Sequence, residues 1–113
     1  MRGGEVYWAE LGPRSGSERR GRRPVVVVSH DGFNLVPGWR SVVVVPLSTT
    51  TARKGPTAVG LAAGAAGLAK ASVALCHQVT TLDREKLTRR LGALAPADLE
   101  NLDLGLRAAL GLS

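Results

Sequence analysis

Two blocks of four consecutive valines, at residues 25–28 and 42–45, dominate the hydrophobic pattern of the chain. β-branched side chains pack well on a pleated surface, and an unbroken apolar run of this length indicates a strand covered on both faces. The pattern therefore predicts central strands over 25–29 and 40–50. Proline is tolerated at the first residue of a strand, which places the start of the earlier one at Pro24.

Shorter runs of β-forming residues predict further strands over 5–11, 57–61, 72–79 and 89–94. Residues 80–86 contain the run LDREK at 82–86, which predicts one helical turn. Glycine, proline and asparagine mark the turns between these elements, as at Pro37.

The C-terminal segment carries the pattern of an amphipathic helix. Pro96 suits a first turn, acidic residues follow at the positive end of the helix dipole, and Gly111 favours a stop. Leucines recur at steps of three and four, which predicts one stripe facing the body: Leu99, Leu102, Leu106 and Leu110. Short strands followed by one terminal helix predict a mainly β fold, a small antiparallel barrel with the helix packed on it.

Length and composition fit one globular domain spanning 1–113, because 113 residues suffice for one hydrophobic core. The single cysteine, Cys76, excludes an internal disulfide and fits a reducing cytoplasm. It lies in an apolar run, where a buried small side chain is expected. No signal-peptide pattern and no apolar stretch of membrane-spanning length occur, so we expect a cytoplasmic protein without a membrane segment.

The formal net charge is +6, and it is unevenly distributed. Five of the 15 basic residues lie in the predicted glycine-rich loop at 12–22 or at its junction with the next strand: Arg14, Arg19, Arg20, Arg22 and Arg23. Such a concentration favours a polyanionic partner, nucleic acid above all. An arginine at a strand end also serves solubility alone, and the residues by themselves leave both interpretations open.

Metal and cofactor chemistry find no support in the residue inventory. His30, Cys76 and His77 lack the paired spacing of zinc ligands. The glycines at 60–67 are not followed by the lysine and hydroxyl of a phosphate-binding loop. We therefore predict no metal and no cofactor.

The basic loop and the hydroxyls at 48–50 are the remaining candidates for a functional site. They flank two strands that we expect to be neighbours. Cleaving RNA without a metal requires aligning the 2′-hydroxyl on its phosphate and stabilising charge on the phosphorane. Arg23 suits the second task, because a guanidinium clamps two phosphate oxygens, and it is also a candidate proton donor to the 5′-oxygen. Arginine stays protonated and is a poor base, so Glu18 or His30 is the candidate general base.

Several motifs along the chain resemble the MazF/PemK toxins. They are, in order, GEVYWAEL at 4–11, GSE at 16–18, RRPVVVV at 22–28, VVPLS at 44–48, ASVALCHQVTTLD at 71–83 and LGAL at 91–94. The resemblance covers almost the whole chain and implies an SH3-like barrel of the MazF/CcdB type with a C-terminal helix. It further implies a homodimer, neutralised by an acidic MazE-like antitoxin segment. The implied activity is metal-independent, sequence-selective cleavage of single-stranded RNA to 2′,3′-cyclic phosphate and 5′-hydroxyl ends.

The resemblance also implies roles for particular residues. Arg23 stands at the position of the family's catalytic arginine, and Ser48 at that of its catalytic threonine. Glu18 completes the predicted catalytic set. Substrate contacts are expected from Arg19, Arg20, Arg22, Thr49 and Gln78. The arginine that usually follows the family's glutamine two residues later is Thr80 here.

Two other functions remain open from the sequence. A CcdB-like gyrase-binding toxin has the same fold, although its C-terminal tryptophan is absent here. A basic RNA-binding module without catalysis also fits the charge. Trp8 and Trp39 are candidate base-stacking platforms, and Trp8, inside a predicted strand, fits better in the core.

Overall fold

Seven strands and two α-helices make up residues 1–11 and 21–112, the part of the chain that the computed structural model describes. The strands are β1 (Glu5–Glu10), β2 (Arg22–Val27), β3 (Ser41–Ser48), β4 (Ala58–Leu61), β5 (Ser72–Leu75), β6 (Thr80–Asp83) and β7 (Leu87–Ala93), and the helices are α1 (Asp31–Asn34) and α2 (Pro96–Leu110). Three short 3-10 turns cover Ala65–Gly67, Cys76–Gln78 and Arg84–Lys86. Within these residues, neither helix has the length and apolar character needed to cross a bilayer.

Strand β3 is the centre of the sheet. One of its edges pairs with β2, while the other is shared, its first half by β6 and its second half by β5. All pairings are antiparallel, in the order β4-β5-β3-β2-β1-β7, with β6 beside β3. The turn at 65–67 packs on β7, where Gly92 leaves room for the backbone of Ala66. The predicted barrel with a C-terminal helix is confirmed.

Both valine blocks are buried on both sides, as predicted. On one face, Val26 and Val45 belong to a core that extends to α2. On the other face, Val25 and Val44 pack in a second cluster with Ala9. Alternation of side chains along a strand produces this division, since neighbouring residues point to opposite faces.

The predicted start of β2 was two residues late. The strand begins at Arg22, and Pro24 lies inside it, opposite Trp8 of β1. The ladder between β2 and β3 begins only at Val25, so the missing N–H of Pro24 removes no bond from that ladder.

The predicted strand over 72–79 divides in two. β5 ends at Leu75, a 3-10 turn follows, and the segment expected to be helical begins with strand β6. The reason is tertiary pairing: β5 pairs with Leu47 and Ser48, whereas β6 pairs with Ser41–Val44 at the other end of β3. The intervening turn carries the chain from one half of β3 to the other.

Helix α1 was not predicted. His30 caps it, its Nδ1 accepting a hydrogen bond from the Gly32 N–H at 2.8 Å. The fully buried Asn34 closes the turn, its amide donating to the Ser29 carbonyl at 2.6 Å and to the Asp31 carboxylate at 3.0 Å. Side-chain capping of this kind stabilises a short helix without the periodic apolar pattern of a longer one.

Helix α2 begins at Pro96 and stops before Gly111, as predicted, but its leucine stripe is wrong at the C-terminal end. Leu102 is buried and Leu99, although 37% exposed, lies against Gly4, whereas Leu110 is 56% exposed. The buried face is instead set by Gly105, whose lack of a Cβ lets the helix approach Val59 and Cys76. Cys76 is fully buried at this contact, as predicted for a small core side chain.

We predict that Gly105→Ala destabilises the fold. An added Cβ would lie 2.7 Å from Val59 Cγ2 and 2.8 Å from Cys76 Sγ. Overpacking costs about 1–3 kcal/mol, against the ~0.5–1 kcal/mol that alanine gains in a helix. Urea unfolding should therefore show a net loss of roughly 1 kcal/mol. Gly60→Ala on β4 is the matched control, since its Cβ would meet open space; equal stability of the two variants would contradict the predicted contact.

A charged network ties β1 to β7 around Glu5. Its carboxylate accepts hydrogen bonds from the Arg2 N–H at 2.7 Å, the Tyr7 hydroxyl at 2.9 Å and Arg90 Nε at 2.9 Å. Burial raises the pKa of Glu5, but these three donors outweigh it, so the pKa lies below its ordinary value. Burial and the bond to Glu5 raise the pKa of Tyr7 to about 12.

We predict that Glu5→Gln lowers stability at neutral pH by about 1–2 kcal/mol, because charge-assisted bonds are lost. A lowered carboxylate pKa contributes stability above the unfolded-state pKa that disappears as the pH falls through the folded-state value. The parent should therefore lose stability on acidification below about pH 4.5, and the variant should lose less. Urea unfolding from pH 7 to pH 3 measures both, with the exposed Glu100→Gln as control. Parallel pH profiles for parent and Glu5→Gln would refute the assignment.

Candidate active site

Four strand ends meet at one edge of the barrel and enclose a pocket of about 190 Å³. The end of β1 supplies Trp8, the start of β2 supplies two arginines and a proline, and the end of β3 and the start of β5 supply hydroxyls. Its full lining is Trp8, Arg22, Arg23, Pro24, Leu47, Ser48, Thr49 and Ser72. Cationic and hydroxyl side chains are thus combined in one concave site, which suits an anionic ligand.

The register between β2 and β3 brings Arg23 and Ser48 together. Val27 pairs with Val44 and Val25 with Pro46, and the same register continued by two residues sets Arg23 opposite Ser48. Alternation also puts the two side chains on one face, that of Val25 and Val44. The pair predicted from the sequence therefore lines the same pocket.

The two arginines of β2 differ in environment. Arg23 is half-buried and paired with Ala9 of β1 across the ladder. Arg22 is exposed, and its guanidinium carbon lies 4.9 Å from the centre of the Trp8 ring, a cation–π contact. Rigid strands thus hold both cations at the mouth of the pocket.

Ser48 is 9% exposed, and its Oγ accepts a hydrogen bond from the Thr50 N–H at 3.0 Å. Accepting uses a lone pair, so the hydroxyl hydrogen remains available to donate to a ligand. The bond also restrains the side chain, which offsets the absence of the methyl group that would stiffen a threonine. Thr49, the next residue, is exposed at the rim.

The other predicted site residues lie elsewhere or outside the described part of the chain. Glu18, Arg19 and Arg20 fall within 12–20, which the structure does not describe. Gln78 is exposed on the 3-10 turn after β5 and is not part of the pocket lining. His30 follows β2 at the end opposite to Arg23 and uses its Nδ1 to cap α1, so this position argues against it as the base.

Sequence reasoning missed three lining residues, Pro24, Leu47 and Ser72, and it favoured the core over a stacking role for Trp8. Trp8 was assigned to the core, but it is only half-buried and faces the pocket. Alternation along β1 sets Trp8 on the face of Val6, and Trp8 lines the pocket because the ends of β2, β3 and β5 meet beside it. The sequence of β1 alone could not have revealed these neighbours.

A second cationic pocket, of about 440 Å³, adjoins the first and shares Ser72 with it. Arg53 and Lys54 line it from the loop between β3 and β4. A larger pocket of about 510 Å³ elsewhere contains Arg40, which is already paired with Asp83 at 3.1 Å. Its carboxylates make it a poorer anion site, so the smaller pocket is the stronger candidate. No cluster of three or more metal-ligating side chains occurs among residues 1–11 and 21–112.

Comparison with known proteins identifies the family. The model of the PemK-like, MazF-like toxins of type II toxin–antitoxin systems matches residues 2–110. The chain belongs to this toxin family. The resemblance inferred from the sequence motifs is thereby confirmed.

Individual members of the toxin family are similar over nearly full length. Endoribonuclease MazF6 of Mycobacterium tuberculosis is 36% identical over 108 residues, 96% of this chain and 95% of the relative. The structure of the M. tuberculosis toxin MazF-mt6 matches with a TM-score of 0.80 and 26% identity, over 96% of this chain and 98% of that one. A MazE-MazF structure from Deinococcus radiodurans has a TM-score of 0.78 and 28% identity, over 100% and 97%. The fold around the pocket is therefore that of the toxin family.

Proposed function

We propose that the chain is a toxin that cleaves single-stranded RNA within the strand, a sequence-selective and metal-independent endoribonuclease. The observation that carries this proposal is the shared pocket of Arg23 and Ser48, a cation and a hydroxyl on neighbouring strand ends. The activity in the printed names of its relatives supports the same class. The net charge of +6 suits a polyanionic substrate.

The reaction is an internal transfer at phosphorus. The 2′-oxygen attacks the adjacent phosphorus, and the bond from phosphorus to the 5′-oxygen breaks. The 2′-hydroxyl proton passes to a base, and the 5′-oxygen takes up a proton as it leaves. The products are a 2′,3′-cyclic phosphate and a 5′-hydroxyl, and no water enters this step.

Arg23 stabilises the extra negative charge on the phosphorane. A guanidinium offers a planar fork of donors to two phosphate oxygens, and its half-buried position strengthens the interaction relative to bulk water. Ser48 donates its hydroxyl hydrogen to the same phosphate, and Arg22 and Thr49 contact the RNA at the rim. These groups act on developing charge, the role a metal ion plays in other nucleases.

Proton transfer requires a second group. An arginine remains protonated at neutral pH, so Arg23 serves as a donor toward the 5′-oxygen rather than as a base. We assign the base to Glu18, which precedes β2 in the sequence. Arg19 and Arg20, which follow it in the sequence, and Gln78 beyond β5 are proposed substrate contacts.

We predict that Arg23→Ala and Ser48→Ala each lower the rate of RNA cleavage by roughly 10²–10³-fold, as expected for loss of one transition-state contact. The parent should cleave long single-stranded RNA in EDTA, leaving cyclic phosphate and 5′-hydroxyl ends. Ser48→Thr should keep activity because the hydroxyl is retained.

Matched controls separate the site from general charge and folding effects. Arg107→Ala removes an exposed arginine of α2, and Ser41→Ala removes a hydroxyl from the other end of β3. Both should cleave at the parental rate. Absence of cleavage by the folded parent, or cleavage that Arg23→Ala leaves intact, would refute the proposal; tight RNA binding without product would favour a binding module.

The same proposal includes two protein partners. An acidic antitoxin segment fits the arginines of the pocket and would compete with RNA there, in keeping with the MazE-MazF structure of the D. radiodurans relative. A second copy of the chain fits the exposed apolar patch between α1 and β3, where Phe33, Leu35, Val36 and Trp39 are each more than 40% exposed.

Native mass spectrometry tests both partners in one mixture of toxin, cognate antitoxin and uncleavable RNA. We predict two toxin chains per particle and loss of bound RNA as antitoxin is added. Trp39→Glu should shift the toxin toward monomer, because it places a charge in the apolar patch. Particles with one toxin chain, or bound RNA that added antitoxin does not displace, would contradict these assignments.

A further inference from the structure

We propose that Trp8 is a nucleobase-stacking platform next to the scissile phosphate, covered in the free protein by the guanidinium of Arg22. A base of the RNA replaces the guanidinium on the indole ring, and Arg22 turns to the RNA backbone. This inference rests on the proposed function, since it takes single-stranded RNA as the ligand and the phosphate beside Arg23 as the reaction centre.

The position of Trp8 carries the first step of the argument. It lines the same pocket of about 190 Å³ as Arg23 and Ser48. Pockets for whole small molecules usually measure roughly 300–1,000 Å³, so this one has room for a base and a phosphate rather than a longer segment. A phosphate held by Arg23 therefore puts a neighbouring base within reach of the indole.

The backbone that carries the indole is held by pairing on both sides. Trp8 pairs with Pro24 on one side and Arg89 on the other, and the Thr88 hydroxyl donates to its carbonyl at 3.3 Å. An aromatic ring fixed on paired strands loses little conformational entropy when a ligand stacks on it. This is the arrangement of stacking platforms in proteins that bind single strands.

The competition between Arg22 and a base decides what covers the ring. Arg22 is exposed, and an exposed cation–π contact changes an equilibrium by roughly two- to five-fold. Stacking of a base on an aromatic ring changes it by roughly five- to 150-fold. A base should therefore displace the Arg22 guanidinium from the Trp8 ring. The displaced guanidinium can then bind a phosphate of the RNA.

Trp39 provides an internal comparison. It is 43% exposed and lies 5.2 Å from Phe33, ring centre to ring centre, but it lines the other pocket, with Asp83 and Glu85. The two carboxylates there offset the charges of Arg40 and Arg84, so that site has no net positive charge to attract a phosphate backbone. If solvent exposure were the only criterion, Trp39 would be the candidate stacking platform. The charged residues around each ring favour Trp8 instead.

The experiment uses a random-sequence pool of single-stranded 2′-fluoro RNA, which lacks the attacking hydroxyl and so cannot be cleaved. In Trp39→Phe, Trp8 is the sole tryptophan, and its fluorescence should be quenched on titration with this RNA. In Trp8→Phe, the remaining Trp39 should show no comparable quenching. Quenching confined to Trp39, or absent from Trp8 when RNA is bound, would overturn the inference.

Affinities provide a second arm. Trp8→Leu, which keeps an apolar side chain but removes the aromatic face, should weaken RNA binding roughly five- to 150-fold without changing its salt dependence. Trp8→Phe should retain most of the affinity. Arg22→Gln should instead reduce the slope of log affinity against log salt by about one, as for a lost phosphate contact. If Trp8→Leu binds RNA with parental affinity, a base does not stack on Trp8. If Arg22→Gln leaves the salt slope unchanged, Arg22 does not contact a phosphate.

Failure of the inference and failure of the proposed function give different results. Cleavage of unmodified RNA with no quenching of Trp8 leaves the nuclease and refutes the stacking platform. Quenching of Trp8 without cleavage by the parent leaves the platform and refutes the nuclease.

Discussion

The pairing of β2 with β3 is the interaction on which the site depends. Both strands carry a valine block buried on both faces, so the register between them is strongly specified: a slip by one residue would exchange the side chains of the two cores. The same register sets Arg23 opposite Ser48 just beyond the last paired residues. Packing energy in the strands thus determines the relative position of two polar groups at their ends.

The site combines a cation-rich approach with a rigid frame. Arginines concentrate in the sequence at 14–23, and the first two residues of β2 present their guanidinium groups to the pocket. Long cationic side chains lose entropy when they are ordered, so attaching them to a paired strand reduces the cost of binding a phosphate. The proposed nuclease therefore needs few groups, each oriented by backbone pairing.

In the proposed complex, the catalytic groups and the stacking platform bind different parts of the RNA. Arg23 and Ser48 address the phosphate, which is the same in every nucleotide and carries no sequence information. Trp8 addresses a base through its π face, which tolerates any base but favours a single strand over a duplex. Exchange of Arg22 between the indole and the RNA backbone links the two parts.

The sequence by itself determined the elements with strong local signals. The valine blocks, the proline-initiated terminal helix and the buried Cys76 follow from side-chain chemistry and short-range pattern, whereas the choice of Ser48 as the partner of Arg23 followed from the family resemblance. Family motifs spread over the chain added the barrel. Contacts between residues distant in sequence decided the rest. Thr80 lies in a strand because residues 80–83 pair with the edge of β3. Gly105 lies on the buried face of α2 because a residue with a Cβ would collide with Cys76. Trp8 lines the pocket because the ends of β2, β3 and β5 lie beside it, and the sequence of β1 alone does not contain that arrangement.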